Sequence, residues 1–140
     1  MQYQCWYYRG GALVVEKYTG QVEVDHVLDN DEDFLSRLEG SIDTLLVLSD
    51  LSGVSLANLP IEEIAGLFAS FDKHLPRIKK IKSALYTGIS NNDVFQKIIS
   101  YSNHGAARRM SVIPFVHLDM AMEWLDLTPA EQDSIKEQLK

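Results

Sequence analysis

The chain has 140 residues, 46% of them hydrophobic and 24% charged, and a formal net charge of -7. That length suits one domain burying roughly 70% of the surface its unfolded form exposes, so a core needs no disulfide or metal to complete it. The negative charge disfavours nucleic acid, and the longest apolar runs fall far short of the roughly 20 residues that span a bilayer.

The opening, MQYQCWYYRGG, has no basic segment followed by a long apolar one and does not read as a secretory signal. A single cysteine, Cys5, fits a reducing compartment, so a cytoplasmic location is expected. Residues 3–8 carry aromatics, residues 12–19 carry Leu13, Val14, Val15 and Tyr18, and Gly10 and Gly11 stand between them. β-favouring side chains on either side of paired glycines predict a hairpin. Gly20 closes the second strand. From 22 to 38, Val24, Val27, Leu28, Phe34, Leu35 and Leu38 recur at mostly helical spacing, which predicts one helix. The polar run at 29–33 inside it reads as a solvated face, since it lacks the glycine turn and the distant glutamate of a calcium loop.

The stretch 42–71 organises the rest. Leu45, Leu46, Val47 and Leu48 form a buried strand, Ser49, Asp50, Ser52 and Gly53 a loop, and Pro60 leads a helix with Asn58 or Leu59 as its cap. Ile61, Ile64, Leu67, Phe68, Phe71 and Leu75 make one apolar stripe. Burying each large member is worth roughly 1.5–3 kcal/mol, so this face is expected to cover the sheet. Pro76 ends the helix, and residues 78–88, with Ile81, Ala84, Leu85 and Tyr86, form the next strand. Ser90 and Asp93 bracket the start of a helix that carries Val94, Phe95, Ile98 and Ile99 and stops at Gly105. Residues 110–116 are the last strand, which Pro114 assigns to a sheet edge. Residues 118–127 offer Ala121, Met122, Trp124 and Leu125 as another apolar helical face. The tail begins Thr128, Pro129, Ala130, Glu131, a capping box with proline at the first helical position. With little apolar surface beyond Ile135 and Leu139, it is expected to dock weakly or to serve a partner. The division is a domain over 1–127 and a helical tail over 128–140.

This order resembles the anti-sigma-factor antagonist (STAS) fold, and more closely the SpoIIAA-like group of small bacterial proteins. The resemblance rests on the strand and turn at 45–54, the helix start at 60–64, the strand at 84–88, and Phe115, Ala121, Trp124 and Leu125. It implies an α/β domain: an N-terminal hairpin, then repeated βα units, a mixed, mostly parallel sheet of about five strands, about four helices and a short C-terminal helix. In that family an aspartate followed by a serine opens the second helix, and the serine is phosphorylated by a partner kinase. Here those positions hold Asn58 and Leu59, so the architecture carries over without the phosphorylation switch. The related fold of CRAL-TRIO domains keeps apolar-ligand binding open.

Ser52 and Ser55 are the neighbouring hydroxyls, and they read as turn formers, with no phosphorylation site expected. Basic residues Lys73, Arg77, Lys79, Lys80 and Lys82, with Arg108 and Arg109, are expected at the amino-terminal rim of the sheet as solvated charges. His26, His74, His104 and His117 are dispersed, so no metal site is expected, and no glycine-rich loop suggests a cofactor. Ser49, Asp50 and Ser52, Thr87, Ser90 and Asn91, and His117 and Asp119 gather at strand carboxyl ends; a catalytic reading would use His117 with Asp119 or Asp50, but the set reads as caps and turns and no catalysis is expected.

The expected function is a non-catalytic regulatory or protein-interaction module, with a protein partner or a second copy of the chain meeting Asp50, Ser52, Ser55, Leu56, Asn58, Leu59, Pro60 and Ile61. On that reading Leu59→Asp weakens association without unfolding the domain. The alternative is a carrier of a small apolar, lipid-like molecule held between helices and sheet.

Overall fold

Five strands lie in the sheet in the order in which the chain makes them: β1 (Gln2–Tyr8), β2 (Leu13–Gln21), β3 (Ile42–Ser55), β4 (Ile78–Tyr86) and β5 (Ser111–Phe115). β1 is antiparallel to β2, and every later pair is parallel. The computed structural model describes residues 1–88 and 92–140. The expected N-cap at Ser90 lies outside the described residues, as does Asn91. The α/β class and the mixed five-stranded sheet are as the sequence predicts. The hairpin closes through Arg9, Gly10 and Gly11, all with positive φ. β5 is indeed an edge, where the missing N–H of Pro114 breaks no outer ladder.

Two helical layers cover the two faces. α1 (Val24–Ser36), a 3-10 segment (Ile61–Phe68) continuing into α2 (Ala69–His74), and α3 (Asn92–Ala107) all pack on one face, against Val14, Tyr18, Leu45, Val47, Ile81 and Leu85. Strand order never reverses, so each crossover of the same hand lands on the same side. The opposite face, with Leu13, Val15, Leu46, Leu48 and Ala84, is covered by α4 (Leu118–Trp124) and α5 (Pro129–Gln138). The alternation of β2 and β3 between these two cores explains why their sequences read as unbroken apolar runs.

Three expectations change at this level. The helix led by Pro60 begins as 3-10 turns, and Pro60 itself is the extended flanking residue in place of Asn58 or Leu59. The loop expected after Leu48 is strand: β3 continues to Ser55 with a bulge, where Lys17 pairs with Asp50 but Thr19 pairs with Gly53. Asp50 holds that bulge, its Oδ1 accepting from the Ser52 N–H at 2.9 Å and the Ser52 hydroxyl at 2.7 Å. The tail is an integral layer. Ile135 is fully buried, the Tyr8 and Ser134 hydroxyls bond at 2.9 Å, and the Thr128–Glu131 capping box is formed.

Candidate functional site

The period-2 alternation of β2 sends Val14, Glu16 and Tyr18 to the same face, so a glutamate sits in the row that otherwise builds the larger core. Glu16 lies opposite Ser49 in the β2–β3 register, and the Ser49 hydroxyl donates to its Oε2 at 2.6 Å. From β1 the Tyr3 hydroxyl donates to Oε1 at 3.0 Å. The carboxyl group is buried with both oxygens supplied.

α1 presents a second acid to the same space. Asp31 falls four residues after Val27 and three before Phe34, within the apolar stripe, and is only 3% exposed. The solvated face expected at 29–33 is therefore corrected: Asp29 and Asp33 are exposed, whereas helical geometry carries Asp31 into the core. Its Oδ2 is buried without a hydrogen-bond partner. The neighbouring Asn30 amide donates to the Tyr18 hydroxyl at 3.3 Å, and the Tyr18 and Tyr3 rings meet tilted at 59° with centroids 4.8 Å apart.

Between these acids and the helix layer is a cavity of about 80 Å³. Its apolar wall comes from Val22, Leu56, Leu59, Ile64, Leu67 and Ile98, and its polar end from Glu16, Asp31 and Ser49, with Tyr18 and Tyr101 beside them. Lys97 also lines it, with its Nζ held by the Leu56 carbonyl at 2.6 Å. Tyr101 stacks on Phe68 at 4.4 Å, and the Arg108 guanidinium covers the other ring at 4.7 Å.

Burial sets the electrostatics. It pushes the Glu16 carboxyl up, against the lowering effect of the Ser49 and Tyr3 hydrogen bonds. Asp31 is raised well above the usual aspartate range, first by burial and then by the Glu16 charge. With no donor on Oδ2, Asp31 is the acid whose charged form has the less support. The phenols of Tyr3, Tyr18 and Tyr101 are raised as well, chiefly by burial.

The residues expected to meet a partner separate by exposure. Ser52, Asn58 and Ile61 are exposed, Ser55 and Pro60 are half-buried, while Asp50, Leu56 and Leu59 are buried. Asp50 serves the bulge, and Leu56 and Leu59 face the cavity, so an aspartate at Leu59 would enter the core. His117 precedes α4, exposed; Asp119 pairs with Lys136 at 3.0 Å, and Thr87 is spent on the Phe115 carbonyl. Much of the basic rim is paired: Lys73 with Glu32, Lys79 with Asp43 and Arg108 with Asp72, while Arg77 donates to the Leu35 carbonyl. Among the described residues, no three histidine, cysteine or carboxylate side chains come together as a metal site would require, and no helix is long and apolar enough to cross a membrane.

Sequence reading missed Glu16 and Asp31, although the signal was there. Each is an acid at an apolar beat of its element's own period. No protein-family model, curated protein or solved structure matches the chain.

Proposed function

We propose that the protein binds a small, largely apolar molecule between the sheet and the helix layer. The observation that carries this reading is the cavity beneath the Pro60-led segment, apolar on most of its wall and polar at one end. Ligand sites have that composition, with a few polar groups fixing orientation. At about 80 Å³ it is about half of an engineered cavity of about 150 Å³ that takes benzene. The occupant is therefore a molecule of a few heavy atoms. Leu56, Leu59, Ile64 and Leu67 sit on the segment connecting β3 to α2, so the same residues close the core and form the binding wall.

Titration of the 15N-labelled protein with butan-1-ol tests this. Amide shifts are expected to centre on β2, β3 and the 3-10 segment and to disappear in Leu59→Phe, which fills the space. Shifts scattered over the surface, or unchanged in that variant, refute it.

A second reading is a cytoplasmic, non-catalytic regulatory module of STAS-like fold that works through self-association. Ile61, Phe95 and Ile99 support it, lying exposed around one surface groove. A sedimentation profile identical in wild type and Ile61→Asp would refute that alternative.

A further inference from the structure

The polar end of the cavity is unevenly furnished. Glu16 takes one donor on each oxygen, from Tyr3 and Ser49. Asp31, equally buried, has none on Oδ2. Buried polar groups in folded proteins are nearly always paired, so an orphaned carboxyl oxygen on a cavity wall marks a place where something else supplies the donor.

Among the described residues, a cation lines the cavity but none is hydrogen-bonded to either acid. Taking each element that packs around the two acids, β1 contributes Tyr3 and Cys5, β2 Tyr18, and β3 Ser49. α1 contributes Asn30, whose amide is committed to Tyr18, and α3 contributes Tyr101 and Lys97. Lys97 is committed to the Leu56 carbonyl, and Arg108 lies over Phe68. Two carboxyls thus face a largely apolar space whose lining cation, Lys97, is bonded to the Leu56 carbonyl and to neither acid. Hydroxyls and carboxylates surround the end of the cavity, and all of them accept hydrogen bonds.

We propose that the ligand is a short-chain primary amine, bound as its ammonium ion between Glu16 and Asp31 with the alkyl part against Leu56, Leu59, Ile64 and Leu67. This rests on the reading of the cavity as a binding site. An ammonium group brings three donors, enough for the open Asp31 oxygen and for the free lone pairs of Glu16, and it sets a positive charge directly against the two carboxyls, which Lys97, held by the Leu56 carbonyl, does not do. In the empty protein a proton held on Asp31 plays that part, since burial keeps this carboxyl well above its usual range. The arriving ammonium replaces that proton, which leaves to solvent, so the charge within the site is conserved. Affinity consequently rises with pH, by at most about tenfold per unit, and levels off once the empty site has lost its proton.

The test compares butylamine, butan-1-ol and butyrate on the full chain by NMR titration, with calorimetry in two buffers of different ionisation enthalpy to count protons. Butylamine is expected to bind about tenfold or more tightly than butan-1-ol at about pH 8, with proton release, the margin a charge-assisted hydrogen bond supplies. Asp31→Asn and Glu16→Gln should each bring the amine down to the level of the alcohol. Where either variant fails to fold, the pH profile and proton count of the wild type decide. If butan-1-ol or butyrate binds as well as the amine, the amine assignment falls while the cavity remains a binding site. If no probe shifts the cavity residues, both fall together.

Discussion

Replacing Asp31 by asparagine isolates the energetic cost of the buried acid. Its pKa is raised in the folded state, so between about 3.9, the ordinary aspartate value, and the higher native value the folded protein binds more protons than the unfolded one. Stability then falls as pH rises, by about 1.4 kcal/mol per unit for one proton. Asparagine is neutral throughout and carries no such slope. Below about pH 4 both side chains are uncharged and the two proteins should be of similar stability. Above that the variant gains steadily, at up to that rate per pH unit, for as long as the folded protein keeps the proton on Asp31. Asp31 is 3% exposed with an unpartnered oxygen, so its charged form has little solvent to support it. Urea unfolding followed by the fluorescence of Trp6 and Trp124, from about pH 4.5 to about pH 8.5, measures the difference directly. A stability gap that stays flat with pH, or a variant less stable than wild type at the alkaline end, would refute the reasoning.

Three further outcomes follow from the packing. A Cβ at Gly105 would stand 2.5 Å from Val112 Cγ2 and 3.6 Å from the Phe68 ring, so Gly105→Ala should cost about 1–3 kcal/mol in the same unfolding assay despite the better helix propensity of alanine. Leu59→Asp places a carboxylate in the cavity wall and should lower stability by about 3 kcal/mol or more, read as a fall in the urea midpoint. The Arg9 guanidinium bonds both oxygens of Glu131 at 2.7 and 2.8 Å and is the largest influence holding that carboxyl down at about 2. A lowered carboxylate stabilises above its unfolded value of about 4.3, so the advantage of wild type over Arg9→Ala should shrink as pH falls towards about 2 in thermal scans.

Periodicity alone located nearly every element. The apolar run from Leu45 to Leu48 pointed to a strand buried on both faces, the proline in β5 to an edge, and the Thr128–Glu131 capping box to the start of α5. These signals are local, because a strand or helix writes its own repeat into neighbouring residues. The bulge at Asp50 was not legible in that way: an aspartate and a serine after an apolar run look like a loop until the β2 ladder is present to continue.

What the sequence determined by itself was the succession of elements and which side of each is apolar. What only the tertiary structure decided was that Glu16 on β2 and Asp31 on α1, fifteen residues apart, share the wall of one cavity, and that Leu56 and Leu59 face it. The reason is physical: a single element's period tells which way a side chain points, but whether it meets water, a hydroxyl or another acid depends on what the rest of the chain packs over it.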